Sequence, residues 1–289
     1  MVKYFSEQRG RRGQYDLAEL RKQLKGIYNY FEGKRYLAQW AGYPCVDGGD
    51  GGGGWVNGEA GDDAASYIFA HVGRDDLFPI DPVGTTGTFP NNGWSEDQIF
   101  DMFQFLGTVI SKPVDGRHHD FNKCGFHPSK FERNAGLEEY RAMVNRALAR
   151  YGNGWELRPD LSIAELPPDG MLTLVEANVP ESIGDESRRR VVVAIEKYRR
   201  RGATKDDRRD AVRDLGDVLE KHRQQAKATM GQTETDLFNI LNNFDIRHNN
   251  ELQKADYDPV FMAGLFYHYL NMIHILGRLL DRQKRGNGG

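Results

Sequence analysis

Residues 204–229 read TKDDRRDAVRDLGDVLEKHRQQAKAT, and this stretch decides the fold class. One face carries apolar residues at the three- and four-residue spacing of a helix, namely Val212, Leu215, Leu219 and Ala226. The same charged, amphipathic texture begins at Glu186 and predicts helices at about 186–201, 204–229, 233–246 and 257–285. Because short links join helices of this length, an antiparallel four-helix bundle is expected.

The chain before Glu186 alternates helical periods with glycine- and proline-rich stretches. The periods predict helices at 16–31, 62–72, 95–110 and 137–151, and short apolar runs predict strands at Trp155–Leu157 and Leu172–Glu176. Residues 111–135 are expected to be irregular, and the glycine run at 47–54 to be a flexible loop. We therefore predict a mainly α protein, with a helix-rich α+β domain in residues 1–185 and the helical bundle in residues 186–289.

Charge differs between these two parts. Residues 1–185 carry 19 Lys and Arg against 27 Asp and Glu, whereas residues 186–289 carry 20 against 15. A basic helical part suits a nucleic-acid partner, and it equally suits helices with solvated basic faces.

Two cysteines, Cys45 and Cys124, are too few for a disulfide framework, and residues 1–7 lack the apolar core of a signal peptide. A cytoplasmic protein is therefore expected. The apolar run Val260–Leu280 includes His268, Asn271, His274 and Arg278, which are costly in lipid, so no membrane association is expected. Because this run is apolar on several faces, it predicts a homodimer formed through Val260–Leu280.

Polar side chains are densest at residues 242–251, NNFDIRHNNE, between the third and fourth predicted bundle helices. Arg247 offers two parallel donors to a phosphate, and His248 is a general acid/base at neutral pH. Neighbouring helical residues diverge by about 100°, so the pair must lie in a turn or act across a dimer axis. Asn243 and Asn250 would position the phosphate, and Glu251 would orient His248. Alternatively, the asparagines are helix caps and His248 is an interhelical hydrogen bonder.

The bundle, with Arg247 in the link before its last helix, resembles the HEPN superfamily of helical ribonuclease domains found in bacterial abortive-infection and antiphage systems. The family motif is an Arg followed by a polar residue and, four to six residues later, a His. Here residues 251–254 read ELQK, and His248 directly follows the Arg. Either His248 has taken over the acid/base role, or the domain is a non-catalytic, dimerising member of the family.

The resemblance implies a metal-independent endoribonuclease of an antiphage, abortive-infection or toxin system, which uses the 2′-hydroxyl of RNA as nucleophile and needs no cofactor. RNA would be its substrate, and a phage or host protein its trigger. The alternative is a non-enzymatic HEPN-like dimer that binds or senses a nucleic acid or protein partner.

A second cluster of chemically active residues lies at 118–127. Cys124 and His127 have a spacing that zinc uses, and His118 or His119 would add a ligand. With Lys112, Arg117 and Lys123 nearby, the segment could instead contact phosphate or be a packed structural loop.

Overall fold

The structure, a computed structural model, describes residues 14–48, 54–61, 64–73, 94–231 and 258–286. Over these ranges the protein is mainly α, with a few short strands, as predicted. The chain divides into two compact units, Met1–Ile163 and Ala164–Gly289. This division precedes the boundary expected at 185/186, because Val175, Val179 and Ile183 belong to the hydrophobic core of the second unit.

The described residues of the first unit combine helices with two paired sets of strands, β1–β2 and β3–β4, and one further strand, β5. Its helices are α1 (Leu17–Gly33), α2 (Ala38–Ala41), α3 (Ala64–Val72), α4 (Glu96–Val109) and α5 (Arg133–Leu148). Its strands are β1 (Tyr43–Pro44), β2 (Trp55–Val56), β3 (Lys112–His119), β4 (Gly125–Glu132) and β5 (Trp155–Leu157). The division between the units falls within the next strand, β6 (Ile163–Glu165).

Helices α1, α4 and α5 supply most of the first core. Capping boxes begin two of them, one from Asp16 to Glu19 and the predicted one from Ser95 to Gln98. Tyr140 of α5 is fully buried, and its hydroxyl donates to the carbonyl of Phe103 at 2.9 Å. A buried hydroxyl needs such a partner, so this bond fixes α5 against α4.

Residues 111–135, expected to be irregular, contain an antiparallel hairpin. β3 and β4 pair from Lys112 with Glu132 to His119 with Gly125, and a one-turn 3-10 helix at Phe121–Lys123 joins them. The strands were hard to recognise because Val114, Asp115, Arg117 and His118 are all exposed, and register shifts between Pro113 and Gly116 interrupt the two-residue alternation. Gly116 is required in β3, since a Cβ there would lie 2.3 Å from the carbonyl oxygen of His127.

The second unit is helical in the residues that the structure describes. Its helices are α6 (Leu172–Glu176), α7 (Asp185–Arg199), α8 (Lys205–Lys221), α9 (Arg223–Met230) and α10 (Pro259–Gly286).

Three predictions for this unit are affected. The strand predicted at Leu172–Glu176 is wrong: this segment is helix α6, whose turn forms as the Met171 carbonyl accepts from Leu174 and Val175. The helix predicted over 204–229 is divided at His222, where ψ turns to 13°. The helix predicted at 233–246 lies outside the described residues.

α7, α8 and α10 enclose the second core. Tyr198 of α7 stacks on Phe266 of α10 with ring centroids 3.9 Å apart. Lys197 and Arg190 of α7 both pair with Asp214 of α8, so ion pairs join these two helices. α10 is long and apolar enough to cross a membrane by length and composition alone, yet 61% of that stretch is buried inside the protein.

Replacing either of two helical glycines of the first unit by alanine should change the free energy of unfolding, in opposite directions at the two positions. Gly136→Ala is expected to lower the free energy of unfolding by about 1–3 kcal/mol, because the added Cβ would lie 2.6 Å from the backbone nitrogen of Lys112. Gly26→Ala meets no atom within 4 Å and should raise it by about 0.5–1 kcal/mol, as alanine favours the helix. Urea denaturation measures both; equal effects would contradict the close approach of α5 to β3.

Candidate metal centre

The hairpin register places two histidines on one face of the β3–β4 sheet. His127 lies opposite Arg117, and His119 is two residues further along β3. Side chains two residues apart in a strand share a face, so His119 and His127 are diagonal neighbours. Their ring centroids are 5.0 Å apart in an edge-to-face arrangement.

Two cysteines reach the same point from different directions. Cys124 lies at the end of the 3-10 turn, immediately before β4. Cys45 follows β1, and its backbone is held by bonds to both Gly48 and Gly54. The site is therefore built from two chain segments, the turn after β1 and the β3–β4 hairpin.

The four side chains form a cluster of the size that a metal ion requires. One potential ligand atom from each of Cys45, His119, Cys124 and His127 lies within 4.8 Å of the others. Sγ of Cys45 is 3.7 Å from Nδ1 of His119. In a tetrahedral zinc site, the usual Zn–S and Zn–N distances put sulfur and nitrogen ligands about 3.6 Å apart. This donor set and spacing fit zinc.

Two of the potential ligands, His119 and Cys124, have neighbours that favour the form in which they bind a metal. Nε2 of His119 lies 3.2 Å from the carboxylate of Asp47. A proton on Nε2 leaves the Nδ1 lone pair directed at Cys45, which is how a carboxylate orients a metal-binding histidine. The backbone N–H of Val46 donates to Sγ of Cys124 at 3.3 Å, and such a bond stabilises a thiolate.

His127 is the more enclosed of the two imidazoles. It is 5% exposed, packs against the Tyr43 ring at 5.0 Å, and has a buried Nε2 without a hydrogen-bond partner among the described residues. Burial lowers the pKa of His127, with further lowering from nearby His119. The ring is therefore neutral at physiological pH, as a metal ligand must be. A bond to an ion would remove the cost of an unsatisfied buried nitrogen.

The cluster differs in membership from the set that the sequence suggested. His119, Cys124 and His127 belong to it, but His118 does not: its side chain is 69% exposed and faces Asp120 at 3.3 Å. Cys45 was missed because 74 positions separate it from His119. The sequence did contain one indication that Cys45 is a ligand: it is the second of the chain's two cysteines, and it lies in the Pro44–Gly48 turn beside the glycine run.

The alternative of a phosphate-contacting loop receives little support from Lys112, whose ammonium pairs with Glu139. Arg117 remains exposed on the hairpin. The predicted ribonuclease residues, Asn243, Arg247, His248, Asn250 and Glu251, lie outside the described residues.

Comparison with known proteins adds no family to this geometry. No protein-family model, curated protein or solved structure matches the chain.

Elemental analysis separates the observed ligand set from the predicted one. Protein purified with zinc should hold one ion per chain, and Cys45→Ser or His127→Ala should lose most of it, because three ligands bind zinc far more weakly than four. His118→Ala is the matched control and should retain the ion. Loss of zinc from His118→Ala, or full retention by Cys45→Ser, would contradict this assignment.

Proposed function

We propose that the first unit binds a structural zinc ion through Cys45, His119, Cys124 and His127. The observation that carries the proposal is the convergence of four soft or borderline ligands from two separate segments within 4.8 Å. Thiolate and imidazole ligands in a tetrahedral arrangement select zinc over the oxygen-seeking cations. Four protein ligands leave no position for a substrate, so the ion's role is to hold structure.

The ion would fasten the turn after β1 to the β3–β4 hairpin. Neither segment has an extensive core of its own: β1 and β2 pair over only two residues each, and the 3-10 turn carries Phe121 with 63% of its surface exposed. A two-residue strand pair is not stable alone. A metal crosslink supplies the missing stabilisation, because zinc binds the folded ligand arrangement and not the unfolded chain.

Thermal unfolding tests this role separately from zinc content. At free zinc a thousandfold above Kd, binding contributes about 4 kcal/mol, which corresponds to a rise in Tm of roughly 10 °C for a unit of this size. Wild type should show this shift and lose it on chelation, whereas Cys45→Ser should show neither response. An unchanged wild-type Tm with bound zinc would contradict a structural role.

For the second unit we propose RNA cleavage as a second candidate function. What supports it is the resemblance of residues 186–289 to HEPN ribonuclease domains, together with a helical unit in which residues 242–251 fall between α9 and α10. Arg247 would hold the scissile phosphate and His248 would take the proton of the 2′-hydroxyl, whose oxygen attacks phosphorus. The bond from phosphorus to the 5′-oxygen breaks, that oxygen takes up a proton from His248, and the products are a 2′,3′-cyclic phosphate and a 5′-hydroxyl. The setting proposed is a bacterial cytoplasmic antiphage, abortive-infection or toxin system; the alternative is a non-catalytic HEPN-like protein that binds or senses a partner.

Cleavage of labelled RNA by purified protein tests this candidate. Arg247→Ala and His248→Ala should each reduce cleavage at least a hundredfold, the usual contribution of a positioned acid/base. Arg213→Ala is the matched control, since Arg213 is exposed on α8 and pairs with Asp210. Activity should not require the zinc ligands for chemistry, so Cys45→Ser should still cleave at temperatures where it stays folded. Wild-type rates in both site variants would contradict the assignment and favour the binding-protein alternative.

A further inference from the structure

The two cysteines of the chain meet in the candidate metal centre. Their Sγ atoms lie within 4.8 Å of each other, although Cys45 follows β1 and Cys124 precedes β4. A disulfide joins sulfur atoms at about 2.05 Å, so the two thiols need to approach by less than about 3 Å to form one. The sequence contains no third cysteine, so each thiol can pair within the chain only with the other. The four ligands that fit zinc therefore also contain one possible disulfide.

The backbone around both cysteines allows this approach. β1 ends at Pro44 and β4 begins at Gly125, so neither cysteine belongs to a paired strand. Cys45 starts a turn closed by the N–H of Gly48, which donates to the Cys45 carbonyl at 2.8 Å. Cys124 follows the 3-10 turn that joins β3 to β4. Movement of either turn brings the sulfurs together and need not break the pairing of β3 with β4.

Exposure distinguishes the two thiols. Cys45 is 6% exposed, whereas Cys124 is half-buried, so a small solute reaches Cys124 more readily. A metal-bound cysteine is a thiolate, and the thiolate is the form that peroxides oxidise. We therefore expect Cys124 to be oxidised first and Cys45 to attack the oxidised sulfur.

We propose that this metal centre is redox-controlled, in that hydrogen peroxide joins Cys45 and Cys124 in a disulfide and the zinc ion is released. This inference rests on the zinc site proposed above. Loss of both thiolates leaves His119 and His127, and two ligands hold zinc far more weakly than four. In a reducing compartment such a disulfide is transient, which suits the sensing of an oxidant.

The oxidation proceeds in two steps. In the first, the Cys124 thiolate attacks one oxygen of hydrogen peroxide, the O–O bond breaks, and Cys124 becomes a sulfenic acid while the departing hydroxide takes up a proton from solvent. In the second, the Cys45 thiolate attacks the Cys124 sulfur, the S–S bond forms, the S–O bond breaks, and a second hydroxide is protonated to water. Each sulfur loses one electron, and the peroxide gains two.

The disulfide would join the same two segments as the zinc ion, the turn after β1 and the β3–β4 hairpin. Oxidation therefore replaces one crosslink by another, and the first unit loses its metal without losing the connection. Chelation should accordingly lower the Tm of the reduced chain and leave the Tm of the oxidised chain unchanged. An equal fall in both would contradict this replacement.

Peroxide treatment of the full-length, zinc-loaded chain tests the inference. Zinc content is measured first, because a chain that holds no zinc overturns the zinc site itself and this inference with it. Peroxide should then release about one zinc ion per chain to a zinc-binding dye, while alkylation finds both thiols lost and mass spectrometry finds a monomer two hydrogens lighter. Dithiothreitol and zinc should restore the bound ion, since dithiothreitol reduces a disulfide but neither methionine sulfoxide nor a sulfinic acid.

Cys124→His is the matched variant, because imidazole also binds zinc but cannot form a disulfide. It should release zinc at least tenfold more slowly than wild type at the same peroxide concentration, whereas His118→Ala, outside the cluster, should respond like wild type. The wild-type thiol count and mass decide the question even if Cys124→His takes up no zinc. Zinc that stays bound in peroxide-treated wild type, or leaves while both thiols remain free, would overturn the inference and leave the zinc site standing. A disulfide between two chains would overturn it as well.

Discussion

Pairing between β3 and β4 is the constraint on which the candidate metal centre depends. A shift of one residue in a strand moves every side chain to the opposite face, so a slip would separate His127 from His119. This register requires glycine at position 116, because any side chain there would clash with the His127 carbonyl and the Phe126 ring. The relative placement of His119 and His127 is therefore set by backbone hydrogen bonds and one glycine.

A bound divalent cation would allow the two cysteines and two histidines to be buried together, because it would balance the charges of the thiolates. Two thiolates placed within 4.8 Å would repel each other strongly in a partly buried site, and Cys45 is only 6% exposed. One divalent cation with two thiolates and two neutral imidazoles has no net charge. The desolvation cost is then small, and the lowered pKa of His127 keeps that imidazole in the form that this balance requires. Asp47 is not one of the four ligands, and its carboxylate contacts solvent, so its charge carries little desolvation cost.

The sequence predicted what depends on local periodicity and missed what depends on pairing over distance. α1, α4, α7 and α8 begin within a residue or two of their predicted positions, because helical spacing and caps are local signals. The hairpin was missed because exposed residues lie on both of its faces and register shifts between Pro113 and Gly116 interrupt the two-residue alternation. That alternation also decides between the adjacent histidines: in a strand His118 and His119 point to opposite faces, and only the register identifies the one that faces Cys124. Cys45 joins them through a contact 74 positions away, which no local pattern records.

α10 illustrates a complementary limit of sequence reasoning. Its residues are apolar on several faces, so the sequence indicates extensive burial and does not identify the exposed side. In the structure, α6, α7, α8, α9 and the 3-10 turn Glu181–Ile183 all pack against α10, and between Phe261 and Arg278 the exposed positions form a narrow stripe. Which side of such a helix stays exposed depends on where the neighbouring helices pack, and the helical period of α10 does not encode that placement.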